Sequence, residues 1–96
     1  MATFIRLASL TEQGVKNIKN FPQMIGEARE IMENHGVSLL HGWVTLGDYD
    51  VIAIIDAPDV QTAAHVSALI AAKGNFRAKT LSAIPISEFS DMVKEG

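Results

Sequence analysis

Cysteine is absent from this chain of 96 residues, which excludes a disulfide framework and thiol chemistry. Proteins without cysteine are compatible with a reducing compartment, so we expect a cytoplasmic protein. Long hydrophobic runs are absent too: the apolar run 51–55 is far shorter than the roughly 20 residues that span a bilayer. Residues 1–10 place Arg6 inside a short apolar run and lack the pattern of a secretion signal. We therefore expect neither export nor a membrane partner.

Charged residues are sparse, at 20% of the sequence, and the formal net charge is -3. The eight lysines and arginines are scattered and form no basic stripe that would neutralise phosphates, so nucleic acid is not an expected partner. With 48% apolar residues, the chain has material for one hydrophobic core, and we expect residues 1–96 to form a single domain. The low charge content indicates that a partner covers part of the surface.

Two stretches show the apolar spacing of amphipathic helices. The first, 22–35, begins at Pro22 and is followed by Gly36, a favourable residue at the end of a helix. The second, 60–74, follows Asp59, which is a candidate N-cap. A last helical segment is expected from Ser87, with a small apolar stripe formed by Phe89, Met92 and Val93.

Four stretches rich in β-branched and aliphatic residues predict strands, at 3–10, 37–46, 49–57 and 76–84. The order of elements is then βαββαβ, which predicts an α+β domain of the ferredoxin-like sandwich type. Gly47 and Asp48 between the second and third strands suit a two-residue turn. Such a turn would pair Val44 with Val51, Gly42 with Ala53, and Leu40 with Ile55. That side of the hairpin is small and apolar, so we expect the helices to pack on it.

The opposite side of the hairpin mixes large apolar and ionisable side chains: Leu39, His41, Trp43 and Thr45 on one strand, and Asp50, Ile52, Ile54 and Asp56 on the next. Helices on one side of a four-stranded sheet leave this apolar patch uncovered, and monomers seldom expose such patches. A second copy packed sheet to sheet is the simplest cover, so we expect a homodimer or a higher homo-oligomer.

The two outer predicted strands add charge to this uncovered side. If Ile5 and Leu7 face the helices, Arg6 lies on the uncovered side with Phe4 and Ala8. For the last strand the pattern leaves both orientations open, with Arg77, Lys79 and Leu81 on one side and Ala78, Thr80 and Ser82 on the other. A basic set on the uncovered side would complete a pocket with an apolar floor.

Four short segments stand at particular spacings: the T-x-x-G stretch 11–14, the Gly-Asp-Tyr-Asp turn 47–50, the Asp-Ala-Pro-Asp stretch 56–59 and the Gly-Asn pair 74–75. In this combination, which covers nearly the whole chain, the sequence resembles the GYD domain family. The resemblance implies a ferredoxin-like fold that pairs into a dimeric α/β barrel, and it implies little about chemistry. The turn is also similar to one in the ligand-sensing domains of the leucine-responsive regulator family, a similarity limited to the hairpin.

Three functions remain open. The first is an assembly or small-molecule-binding module, with a ligand held by Arg6, Trp43, Asp50, Asp56 and Lys79. The second is a cofactor-independent monooxygenase or isomerase of dimeric-barrel type, in which His41 accepts a proton and Tyr49 or Arg6 stabilises developing charge. The third is a purely structural oligomer.

Each candidate residue also has an ordinary structural interpretation. Tyr49 and Asp50 suit the chemistry of the turn, and a lone histidine in a strand is more often hydrogen-bonded than catalytic. Asp56 is a strand-end carboxylate that would pair with an arginine or lysine. The sequence contains no nucleotide-binding loop, nucleophile elbow or zinc-ligand spacing, so no cofactor or metal is expected.

Overall fold

A four-stranded antiparallel sheet carries two long helices on one side. The computed structural model describes residues 1–95. Its strands are β1 (Ala2–Leu10), β2 (Ser38–Val44), β3 (Val51–Ala57) and β4 (Phe76–Ala83), and its helices are α1 (Glu12–Lys16), α2 (Phe21–Asn34), α3 (Val60–Ala72) and α4 (Ile86–Glu95), with a short 3₁₀ turn at Ile18–Asn20. The strand order β2-β3-β1-β4 is that of a ferredoxin-like sandwich and confirms the predicted fold.

The two long helices begin and end close to where the sequence predicts. Pro22 stands in the first turn of α2, and Gly36 follows this helix with a φ of 71°, a conformation that glycine adopts without strain. Asp59 caps α3, because its carboxylate accepts a 2.7 Å hydrogen bond from the backbone N–H of Thr62. Hydrogen bonding from the side chain of Thr62, and then from its backbone N–H, lowers the pKa of Asp59 from its ordinary value.

The short helix α1 is not among the elements predicted from the sequence. Thr11 caps this helix by accepting a 3.1 Å hydrogen bond from the backbone N–H of Gly14. Gly14 is buried against the carbonyl group of Asn75, where a Cβ atom would find no room. A close approach of two backbone segments therefore explains both the helix and the glycine of the T-x-x-G stretch.

The core lies between the sheet and the helices α2 and α3. Its largest fully buried side chains are Ile55 of β3 and Val66 of α3, and Phe4, Met32 and Ile70 pack with them. Phe4 is opposite Ile55 in the ladder, so β1 turns Phe4 and every second residue after it towards the helices. The orientation considered for the first strand, with Ile5 and Leu7 towards the helices, is therefore wrong. Phe4, Arg6 and Ala8 lie on the helix side, and Ile5 and Leu7 lie on the uncovered side.

The hairpin of β2 and β3 confirms part of the predicted register. Val44 is opposite Val51, and Gly42 is opposite Ala53. The register shifts between Leu39 and His41, so that Leu39 rather than Leu40 is opposite Ile55, and Leu39 packs against the core. The two-residue turn is also wrong, because the strands end at Val44 and begin again at Val51.

Two further properties of the described chain bear on the site. The Cα radius of gyration is 14.6 Å, compared with about 12 Å for a compact domain of this length. The excess agrees with α4, none of whose residues is buried and which therefore extends beyond the sandwich. Within residues 1–95, no helix combines the length and the apolar character needed to cross a bilayer.

Candidate functional site

The side of the sheet away from the helices, here called the open face, is the first candidate site. It carries Thr3, Ile5, Leu7, Ser9, His41, Trp43, Ile52, Ile54, Asp56, Arg77, Lys79 and Leu81. The apolar members occupy the centre, since Leu7 is opposite Ile52 and Ile5 is opposite both Ile54 and Leu81. The orientation of β4 that the sequence left open is thus settled, with Arg77 and Lys79 on the open face.

His41 and Trp43 form the β2 edge of the open face. Their rings are stacked, with centroids 5.7 Å apart and planes inclined by 16°. Both side chains are exposed, and Trp43 retains 51% of its accessible surface. This aromatic pair presents a flat, rigid surface to the surroundings of the chain.

Asp56 lies at the end of β3 on the open face. Its Oδ1 accepts a 2.8 Å hydrogen bond from the hydroxyl group of Thr3, its neighbour on β1. Thr3, rather than the expected arginine or lysine, is therefore its partner. Among residues 1–95 the single ion pair is an exposed one between Lys16 and Glu12, 3.4 Å apart.

Asp50 fastens the hairpin loop to β1. Its Oδ2 accepts a 2.8 Å hydrogen bond from the backbone N–H of Leu10, and its own N–H donates to the carbonyl oxygen of Ala8 at 2.9 Å. In the same loop the hydroxyl of Thr45 donates a 2.6 Å hydrogen bond to the carbonyl oxygen of Tyr49. The structural interpretation of Asp50 as a residue that accepts backbone hydrogen bonds is confirmed.

Helix α4 is a second apolar surface without a partner in the single chain. Phe89, Met92 and Val93 recur at helical spacing, and each is more than half exposed. The helix has the amphipathic pattern of a packed element, but none of its residues is buried by the rest of the described chain.

A cavity of about 370 Å³ lies between α2 and the helix side of the sheet. Its floor is made by three small residues on neighbouring strands, Ala8, Gly42 and Ala53, and a Cβ atom on Gly42 would meet nothing within 4 Å. Phe21 and Met32 of α2 are among the apolar residues above this floor. The room thus results from the lack of side-chain volume on the strands beneath α2.

Arg6 is the buried polar residue of this cavity, with 5% of its surface exposed. Its Nη1 donates a 2.5 Å hydrogen bond to Oγ of Ser67 on α3, and Ser67 also lies 3.2 Å from the hydroxyl oxygen of Thr80. Removal of the guanidinium from water lowers the pKa of Arg6 from its ordinary value. The sequence pattern did not reveal this cavity, because a charged residue in a strand is normally expected on the exposed side.

The residues considered for catalysis do not converge on one point. His41 lies on the open face, Arg6 lies on the helix side of the same sheet, and Tyr49 belongs to the loop between β2 and β3. Of the candidate ligand-binding residues, Trp43, Asp56 and Lys79 share the open face, while Asp50 is engaged with the backbone of β1.

The histidines of the two long helices form a separate pair. His35 follows α2 and His65 lies on α3, and their rings meet edge to face with centroids 5.0 Å apart. Nδ1 of His35 is 2.8 Å from the carbonyl oxygen of Ile31. Within residues 1–95, no three His, Cys, Asp or Glu side chains are grouped so that they would hold a metal ion.

Comparison with known proteins gives two findings. The family model of the GYD domain matches residues 4–93. A protein of Thermus thermophilus, named glutamine synthetase and cystathionine beta-lyase binding protein, is 32% identical over 95 residues, which cover 98% of this chain and all of the relative. The matched residues run from β1 into α4 and include the open face and the cavity. The chain therefore belongs to the GYD domain family.

Proposed function

We propose that this chain is an assembly module that pairs with a second copy through the open face and, as a dimer, binds partner enzymes. The observation that carries the proposal is the row of apolar side chains on the two central strands, Ile5, Leu7, Ile52 and Ile54, which lie on the side of the sheet away from α2 and α3 and are only partly buried in the single chain. Burial of apolar surface is the main favourable term in most protein association. The same surface serves both chains when they are related by a two-fold axis.

The size of the surface supports a dimer that uses α4 as well. Four strands 4.8 Å apart and about eight residues long make a face of about 500 Å². A stable interface buries about 800 Å² of each partner. The exposed apolar stripe of α4 supplies the missing area when it packs on the other subunit.

The polar residues around the open face support a specific pairing. Arg77 and Lys79 lie on β4 at one edge, while Asp56 lies at the end of β3. Apolar residues in the centre with charged residues around them are the arrangement found in protein interfaces. Opposite charges at the rim favour one orientation of the two copies over others.

The second half of the proposal concerns the partner enzymes. The relative from Thermus thermophilus is named for binding glutamine synthetase and cystathionine beta-lyase, and it aligns with this chain over its whole length. We therefore propose enzymes of these two kinds as partners of this chain, in the cytoplasm. Neither half of the proposal requires a reaction at His41 or Tyr49.

Sedimentation velocity of the full chain tests the pairing. The unmodified chain is expected to sediment as a dimer, and Leu7→Lys as a monomer, because the lysine places a charge in the centre of the open face. Val15→Lys is the matched control: it adds the same charge at an exposed position on α1 and is expected to stay dimeric. A monomeric wild-type chain at high concentration would overturn the pairing.

Biolayer interferometry with immobilised chain tests the enzyme partners separately. Purified glutamine synthetase and cystathionine beta-lyase from the same cell are the analytes, and binding of at least one in the micromolar range or tighter is expected. If neither enzyme binds while the chain is dimeric, the enzyme partners are wrong and the pairing stands.

A further inference from the structure

The cavity beneath α2 has an unusual electrostatic feature, because its buried charge has no counterion among residues 1–95. Arg6 is nineteen-twentieths buried, and the one hydrogen-bond partner that residues 1–95 offer its side chain is the neutral hydroxyl of Ser67. The single ion pair of the described chain is elsewhere, on α1. Burial of a charge is costly unless an opposite charge and hydrogen bonds compensate for it.

Most of the donor capacity of Arg6 is not used by hydrogen bonds within residues 1–95. A guanidinium has five N–H donors, and the bond to Ser67 uses one of them. In residues 1–95, no fully buried side-chain nitrogen or oxygen lacks a hydrogen-bond partner. The nitrogens of Arg6 that Ser67 does not engage therefore retain access to open space, and Arg6 lines the cavity. Free N–H donors of a cationic residue that lines a cavity fit an anion.

The lining of the cavity defines the rest of the ligand. Of its 14 lining residues, Arg6 and Arg29 are charged, none is acidic, and the other twelve are glycine or apolar. Arg29 is exposed on α2 and marks the mouth together with Gly42 and Val44 of the edge strand. A volume of about 370 Å³ lies near the small end of the range for ligand pockets. The occupant is therefore small and partly apolar.

We infer that this cavity binds a small monocarboxylate with an apolar tail, whose carboxylate pairs with the guanidinium of Arg6 and whose tail contacts the side chains beneath α2. A carboxylate takes two parallel hydrogen bonds from a guanidinium and carries the single charge that neutralises it. Inorganic phosphate, which has no apolar part, would leave most of the lining without contacts. The inference does not use the proposed pairing, because Arg6 and the cavity floor lie on the helix side of the sheet, whereas Ile5, Leu7, Ile52 and Ile54 lie on the open face.

Isothermal titration calorimetry of the full chain tests the inference with 4-methylpentanoate and phenylacetate as probes. Binding of at least one probe in the millimolar range or tighter is expected. The neutral amide of each probe and inorganic phosphate are expected to bind at least roughly tenfold more weakly, because the amides lack the charge and phosphate lacks the tail. No binding of either carboxylate, or equal binding of the amides, would overturn the inference, as would tighter binding of phosphate.

Three variants identify the site. Arg6→Met removes the charge at nearly constant length and is expected to weaken binding at least roughly tenfold. Gly42→Val leaves Arg6 in place but fills part of the cavity, and it is expected to weaken binding by itself, so the test does not depend on one variant. Lys19→Met removes an exposed charge away from the cavity lining and is expected to bind as the wild type does. Unchanged affinity in both Arg6→Met and Gly42→Val would show that the cavity is not the site.

Discussion

The replacement of Arg6 by methionine is expected to stabilise the ligand-free protein, although it removes a hydrogen bond. The guanidinium is buried, and within the described chain it has no carboxylate beside it and bonds only to the hydroxyl of Ser67. The effective penalty of burying an ion is several kcal/mol, and even buried ion pairs, when replaced by apolar residues of similar volume, leave stability unchanged or raise it by about 1–4 kcal/mol. Methionine is flexible enough to fill the space that the guanidinium leaves.

The hydrogen bond lost in Arg6→Met reduces this gain. A bond from a charged donor contributes about 1.5–3 kcal/mol. Ser67 does not become an orphan, because its hydroxyl lies 3.2 Å from that of Thr80. We therefore expect a net gain of about 1–2 kcal/mol, which corresponds to a rise in Tm of at least about 4 °C for a domain of this size.

The pH dependence of this gain follows from the lowered pKa of Arg6. Because burial depresses the folded-state pKa of this basic group, its unfavourable charge is present at all pH values below that pKa and is relieved only as the pH rises through it. Near neutrality Arg6 stays charged, so the difference in free energy of unfolding between the wild type and Arg6→Met does not change. The gain in stability is therefore expected to be the same in mildly acidic and mildly alkaline buffer.

Urea denaturation followed by circular dichroism, at one fixed protein concentration, measures the effect. The midpoint is expected to rise in Arg6→Met with an unchanged m-value, and Lys19→Met is expected to stay within about 0.5 kcal/mol of the wild type. A loss of more than about 1 kcal/mol in Arg6→Met would refute the reasoning, because it would make the arginine a net stabiliser of the fold.

Two further predictions concern the fold. Gly14→Ala is expected to lower the free energy of unfolding by about 1–3 kcal/mol, because the new methyl group would clash with the carbonyl oxygen of Asn75 and lie 2.9 Å from Cδ2 of Leu10. Its control, Gly26→Ala on α2, meets nothing within 4 Å and is expected to stabilise the protein in the same urea titration, so equal effects would contradict the close approach. Asp59→Ala is expected to lower Tm through loss of the α3 cap, while Asp59→Asn retains most of it. Since the folded-state pKa of Asp59 is lowered, the charged cap stabilises the protein fully above the unfolded-state pKa and loses this contribution as the pH falls through the folded-state pKa. The Tm difference between the wild type and Asp59→Asn is therefore expected to change with pH. A difference that stayed constant with pH would contradict the role of the charged cap.

Local sequence signals were sufficient for most of the secondary structure. Apolar spacing with Pro22 and Gly36 located α2, and Asp59 located the start of α3. The βαββαβ order then led to the correct sheet topology, because few arrangements connect these elements without crossings. The apolar pattern and the capping residues were therefore sufficient to predict the fold.

Which side of β1 faces the helices could not be predicted in this way. Both alternating sets of this strand are largely apolar, so burial alone does not distinguish them, and the charge of Arg6 favours the exposed side. What decides the matter is tertiary: Ser67 on α3 accepts a hydrogen bond from Arg6, and the small residues Gly42 and Ala53 leave room beside it. The cavity that Arg6 lines therefore lies on the other side of the sheet from the pocket predicted on the open face.

The hairpin shows a second limit of pattern analysis. A two-residue turn at Gly47 and Asp48 has the right composition, and Gly47 does adopt a positive φ of 102°. The wider loop is fixed by contacts outside the hairpin, since the Asp50 carboxylate accepts from Leu10 at the end of β1. The shift at Leu40 likewise depends on Leu39 packing into the core. Local propensity does not report such long-range contacts.

Acrylamide quenching of Trp43 fluorescence tests the central claim, that the open face is buried against a second copy, most directly. Trp43 is the one tryptophan of the sequence and is 51% exposed in the single chain, so in the ligand-free protein its emission reports on the β2 edge of the open face. The wild type is expected to be quenched less, and to emit at shorter wavelength, than the monomeric Leu7→Lys variant, and dilution is expected to reduce the difference. Equal quenching of the two proteins at every concentration would contradict the account.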